Sequence, residues 1–171
     1  MQHIMIVGKN GVGKSTLIRA LLDKIPLPVS GVITKKEAAR EDGFCPVYIH
    51  LYGTERHFSD QNLVGVCRSK SSIAYPEAFD RFADRMTFPQ NGVIVFDELG
   101  FMESKATRFT AAVLRTLNEA PFCICAVRDK HTPFLDALRS HPRAAVFEIT
   151  EENRDELCRR ILEQLPDVFR S

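Results

Sequence analysis

At 171 residues, 44% of them hydrophobic and 26% charged, the chain suits one domain with a buried core, and its composition argues against disorder and membrane residence. The 23 basic and 22 acidic residues leave a net charge of +1, which supplies no broad footprint for nucleic acid, so that partner is not expected. Five cysteines, odd in number and without Cys-x-x-Cys spacing, argue against a disulfide framework and a zinc site and for reduced thiols.

His3 to Val7 is a short apolar run leading into a glycine loop, and Leu17, Ile18, Leu21, Leu22 and Ile25 follow at helical spacing. This predicts strand, loop and helix. The early strand leaves no room for a signal peptide, and no apolar stretch reaches membrane-spanning length, so a cytoplasmic protein is expected. Pro26 and Pro28 stop the helix. Val29 to Lys36 and Phe44 to Tyr52 are strand-like, with the polar stretch Glu37 to Gly43 between them, which predicts a hairpin. Gly53 to Ser72 reads as loops holding at most one short strand at Asn62 to Cys67. Phe79, Phe82 and Met86 predict one face of a helix within Ala74 to Met86.

Gly92 to Phe96 is continuously apolar and runs into Asp97-Glu98, as a strand buried on both faces of a parallel sheet does. Ala106, Phe109, Val113 and Leu117 mark a helix, Phe122 to Val127 a buried strand, Pro133 to Ser140 a short helix and Ala144 to Ile149 a further strand. Cys123 and Cys125 alternate along their strand and are expected in the core, where a free thiol acts as a small hydrophobe. Thr150 is expected to cap a last helix that carries Leu157, Ile161 and Leu165 and has Glu151 and Glu152 in its first turn. Alternating strands and helices imply a single α/β domain over 1–171: a doubly wound, mainly parallel sheet with helices on both faces and an added antiparallel hairpin near 30–52.

Gly8-Lys9-Asn10-Gly11-Val12-Gly13-Lys14-Ser15 fits Gly-x-x-x-x-Gly-Lys-Ser/Thr, the P-loop or Walker A pattern, with a strand before it and an amphipathic helix after it. Gly8, Gly11 and Gly13 allow the tight turns that point successive backbone N–H groups at phosphate oxygens, aided by the helix N-terminus. Lys14 is expected at the β and γ phosphates, Ser15 on Mg2+ and Thr16 at the α phosphate. Lys9 and Asn10 lie within the loop and read as exposed more than as contacts. Asp97 closes a central strand at the end where open α/β sheets bind ligands, so it is expected to anchor Mg2+ beside Ser15. Glu98, next along, is the expected catalytic carboxylate that orients the attacking water.

The run Asp97-Glu98-Leu99-Gly100-Phe101-Met102-Glu103 resembles the D-E-I/L-G-x-M-E signature of the P-loop nucleoside-triphosphatases, the family of the thermophilic nucleotide phosphatases and the human cancer-related nucleoside triphosphatase. Gly31-Val32-Ile33-Thr34, Arg40 with Gly43-Phe44, and Asn153-Arg154 resemble further family segments in the same order. The resemblance spans Ile4 to Leu165. It implies magnesium-dependent hydrolysis of ATP, GTP and other nucleoside triphosphates to diphosphate and phosphate, by a monomer.

Two departures stand out. The family usually has lysine where this chain has Phe101, and an acid where it has Lys35 or Lys36. Without that lysine either turnover is weaker or a cation comes from elsewhere, from Lys35, Lys36, Arg40 or Arg128; of these Arg40 is expected, against its reading as an exposed turn residue. Glu103 reads equally as a helix cap and as a site contact. Arg154 reads as a stacking partner for the nucleobase or as a surface ion pair. Two other functions use the same residues: a small P-loop kinase, with an acceptor hydroxyl in place of water, and a nucleotide-dependent switch with little turnover.

Overall fold

Alternate residues of the strand His3–Gly8 (β1) serve two different cores: Ile4 and Ile6 pack on one face of the sheet, Met5 and Val7 on the other. The same division runs through β6 (Val93–Leu99), where Val93 and Val95 oppose Ile94 and Phe96, and β7 (Cys123–Arg128), where Ile124 and Ala126 oppose Cys123 and Cys125. Side chains alternate across a strand, so an unbroken apolar run is what a strand covered on both faces requires. A computed structural model describes residues 2–68 and 71–166.

The remaining strands are β2 (Val29–Lys36), β3 (Cys45–Leu51), β4 (Leu63–Arg68), β5 (Ser71–Ala74) and β8 (Ala144–Glu148). They form one eight-stranded sheet in the order β5-β4-β3-β2-β6-β7-β1-β8. Pairing is parallel from β2 through β8 and antiparallel from β2 through β5. The expected antiparallel hairpin is β2 with β3, and it is part of the main sheet: β2 also belongs to the parallel core, and β3 to β5 widen the same sheet by three antiparallel strands. Ser71-Ser72-Ile73-Ala74 is too short and polar to announce itself, and it forms the β5 edge.

Helix α1 (Lys14–Leu22) buries Leu17, Ile18 and Leu21 against one face, beside α5 (Arg154–Gln164) with Leu157 and Ile161. The other face is covered by α2 (Pro76–Ala83), α3 (Thr107–Glu119) and α4 (Pro133–Arg139), through Phe79, Phe109 and Leu135 among others. Each such fully buried side chain contributes roughly 1.5–3 kcal/mol. Gly31 lets β2 lie against β6: its φ is 139°, and a Cβ there would stand 1.9 Å from the Val95 carbonyl oxygen.

The last helix begins later than expected. Thr150 is not its cap; Asn153 is, and α5 starts at Arg154. The Asn153 side chain accepts from the Thr150 N–H at 2.8 Å and donates to the Glu148 carbonyl at 2.9 Å, so it holds residues 151–153 as a turn before the helix.

Candidate functional site

Parallel strands deliver their C-terminal ends to one edge of the sheet. Gly8 ends β1, Asp97 and Glu98 lie near the end of β6, and Arg128 ends β7, which lies between them. Ligands of open α/β sheets bind at this edge. The P-loop leaves β1 here and enters α1 through Gly13, whose φ of 108° suits glycine. Gly8 has a different reason: a Cβ there would meet Ile149 Cγ2 at 2.7 Å and Val12 Cγ1 at 2.9 Å.

Lys14 is folded back over the loop. Its Nζ donates to the carbonyls of Gly8 at 2.9 Å and Lys9 at 2.8 Å, and only 4% of the residue is exposed. Burial lowers its pKa, against the raising effect of Glu98. The Ser15 hydroxyl donates to Asp97 Oδ1 at 2.7 Å. Asp97 is buried, which raises its pKa, while that hydrogen bond acts in the opposite direction. Lys9, Asn10, Gly11 and Thr16 are exposed, and Val12 is buried.

Glu98 is the junction of the site. Its carboxylate is ion-paired with Arg128 Nε and lies 3.8 Å from Lys14 Nζ. The backbone is irregular here: Glu98 has φ 79°, and the β6–β7 register shifts between Phe96 and Leu99. A non-glycine residue in this region costs on the order of 1–3 kcal/mol. The bulge accompanies a half-buried Glu98 beside a buried Asp97. Arg139 donates to the Arg128 carbonyl at 2.6 Å and so fixes the backbone that carries the guanidinium.

Glu103 lies in a short 3-10 turn, Met102–Lys105, and is 3% exposed. Its Oε1 accepts from the Gly100 N–H. Burial pushes its pKa up to about 7, with hydrogen bonding to Gly100 opposing and the neighbouring charge of Glu98 adding to the rise. It therefore bonds the backbone just before its own turn rather than capping α3. Phe101 begins that turn and is exposed.

Arg40 lies in the β2–β3 turn and donates to the Tyr48 hydroxyl at 3.1 Å. Among the described residues it makes no hydrogen bond or ion pair with Lys14, Asp97 or Glu98; Arg128 is the arginine brought to Glu98. The sequence offers the signal for Arg128, since it ends an apolar strand as Asp97 nearly does. Arg154 is exposed and forms the expected surface ion pair, with its neighbour Asp155 at 3.9 Å, and its Cδ lies close to Gly13.

Two clefts flank the P-loop. One runs from Gly8 to Val12 toward the segment after β8 and is lined by Asp129, Glu148, Glu151 and Glu152. The other opens from Ser15 and Asp97 toward β2 and β3 and carries Arg19, Lys35 and Arg56. Sequence reading identified neither, because the lining residues are far apart along the chain.

The model of the NTPase family matches residues 3–162. The chain is 27% identical over 167 residues to the nucleoside-triphosphatase THEP1 of Thermotoga sp. (strain RQ2), which covers 95% of this chain and 94% of that protein. It is 29% identical over 188 residues to the cancer-related nucleoside-triphosphatase of Homo sapiens, which covers 98% and 94%. The crystal structure of THEP1 from the hyperthermophile Aquifex aeolicus aligns with a TM-score of 0.62 at 22% identity, over 95% of this chain and 98% of that one. This likeness shows a P-loop NTPase fold.

Proposed function

Because the chain belongs to the NTPase family, we propose that it hydrolyses nucleoside 5′-triphosphates, ATP and GTP among them, to the diphosphate and phosphate with the help of Mg2+. The observation that carries this reading is the Glu98 carboxylate at the mouth of the P-loop, between Lys14 and Arg128. P-loop N–H groups and Lys14 hold the β and γ phosphates. Opposite the P-loop and Lys9, the flanking cleft is lined by four carboxylates, which disfavour phosphate there, so the ribose and base face that side and the γ phosphate faces Glu98. Glu98 orients water for in-line attack on the γ phosphorus and takes its proton as the bond to the β–γ bridging oxygen breaks. Lys14 and Arg128 offset the charge on the transferring phosphoryl group.

The Ser15 hydroxyl and Asp97 carboxylate fit Mg2+, being hard oxygen donors in mutual contact at the start of α1. Among the described residues, no group of three or more His, Cys, Asp or Glu side chains is arranged to hold a metal. That suits an ion bound largely by a hydroxyl, water and substrate phosphates. When bound, Mg2+ supplies neutralisation of phosphate charge. The five free cysteines support a reducing compartment such as the cytoplasm.

The test is phosphate release from Mg·ATP and Mg·GTP by the wild-type chain and by Glu98→Gln. Glutamine keeps the size of the side chain and removes its basicity. The expected result is release without any acceptor, reduced at least about a hundredfold in the variant, with nucleotide affinity retained. Tight binding with negligible release from both proteins would favour a switch. Release only with an added hydroxyl acceptor would favour a kinase.

A further inference from the structure

The cleft on the β2–β3 side of the P-loop has the electrostatics of a second ligand site. Its volume is about 490 Å3, the same as that of the acidic cleft on the β8 side. Its cations come from three separate elements: Arg19 from α1, Lys35 from β2 and Arg56 from the segment after β3. Among the described residues, none of the three side chains is in a salt bridge or hydrogen bond, and the one carboxylate lining the cleft is Asp97. Three exposed cations lining one concavity, which Thr34 and Thr54 also line, form an arrangement suited to an anion.

A nucleotide on the P-loop does not account for this charge. From β1 the sheet order places β2, which carries Lys35, three strand spacings away and β3, which precedes Arg56, four, roughly 14 and 19 Å at the usual spacing. With ribose and base toward β8, the triphosphate ends near Glu98, and Lys35 and Arg56 lie beyond it. The cleft begins at Ser15 and Asp97, so an anion within it lies beside the terminal phosphate.

We propose that this cleft is a second anion site, which takes a small phosphomonoester, a phosphate carried on a sugar or nucleoside, at the same time as the P-loop holds its nucleotide. Arg19, Lys35 and Arg56 take the phosphate, and the threonine hydroxyls take hydrogen bonds from the group that carries it. The inference rests on the P-loop being the nucleotide site.

The test uses the full chain saturated with Mg2+ and the ATP analogue that has NH in place of the β–γ bridging oxygen. Analogue binding is measured first; its failure sinks the nucleotide reading and this inference together, before the second ligand is added. Ribose 5-phosphate is then titrated calorimetrically, with ribose as the uncharged control. The expected result is one ribose 5-phosphate per loaded chain, no binding of ribose, and binding weakened at least tenfold in the Lys35→Glu, Arg56→Glu double variant. Analogue affinity in that variant stays within about twofold. Both positions are exposed, and thermal melting of the variant checks its fold. Three outcomes overturn the inference while leaving the nucleotide site standing: ribose 5-phosphate binding only to unloaded protein, equal binding by the double variant, or a single-stranded oligonucleotide without terminal phosphate binding more tightly than ribose 5-phosphate.

Discussion

Arg128 reaches Glu98 because β7 lies between the P-loop strand and the strand that carries Asp97 and Glu98. Phe101 carries no charge and is exposed at the start of a 3-10 turn, and Arg128 offers a positive charge from another strand. Loss of a cation acting on transition-state charge has large effects on rate. Arg128→Ala is therefore expected to lower kcat for Mg·ATP by about a hundredfold or more, and Arg128→Lys by less. Arg40→Ala should stay within about threefold of wild type, since its guanidinium is bonded to Tyr48 and not to Glu98 and the loss of one such hydrogen bond costs little. Steady-state phosphate release decides between them, and a larger loss at Arg40 would assign the role there.

The elements are joined by contacts that do not follow from their own sequences. The start of α3 has no cap from its own chain segment; instead Asp80 of α2 accepts from the N–H groups of Arg108 and Phe109, each at 2.9 Å. The carboxylate also complements the positive end of the helix. Asp80→Ala is expected to cost about 1–2 kcal/mol in urea unfolding, and Asp80→Asn distinctly less, because asparagine still accepts. At the β2–β6 seam the expected loss is larger. Gly31→Ala places a methyl group 1.9 Å from the Val95 oxygen and should destabilise the chain by more than about 2 kcal/mol, with nucleotide affinity falling as Asp97 moves with β6. Unchanged melting of Gly31→Ala would mean that the strands can part without loss.

At the scale of the whole molecule, two buried groups give stability opposite dependences on pH. His3, fully buried, accepts from the Cys123 N–H at Nδ1 and bonds the Leu117 carbonyl through Nε2. Burial lowers its pKa to about 4, so its neutral form is favoured in the fold and its contribution is lost as pH falls from 6.5 to 4. Burial raises Glu103 to about 7, so the protonated fold is favoured and that contribution is lost as pH rises from 4.5 to 7. Each amounts to about 3 kcal/mol at most. The two slopes oppose one another between pH 4.5 and 6.5. Relative to wild type in that window, the unfolding free energy of His3→Gln should fall with rising pH and that of Glu103→Gln should rise. Chemical denaturation at several pH values measures both, and parallel curves for all three proteins would refute the assignment.

The sequence by itself determined the two segments that meet in the candidate site. Gly8 to Thr16 and Asp97-Glu98 are each contiguous, each follows an apolar strand, and the chemistry of each is legible from residue type and spacing. It also determined the doubly wound core, because apolar runs without alternation require cover on both faces. Tertiary structure alone decided which cation meets Glu98, that Asp80 caps a helix 28 residues away, that β3 to β5 widen the sheet, and that Arg19, Lys35 and Arg56 line one cleft. Those outcomes depend on strand order and on contacts between distant segments. Local spacing carries no record of either, so Arg128 and Arg40 read alike in the chain until the sheet places one beside the P-loop and the other in a turn.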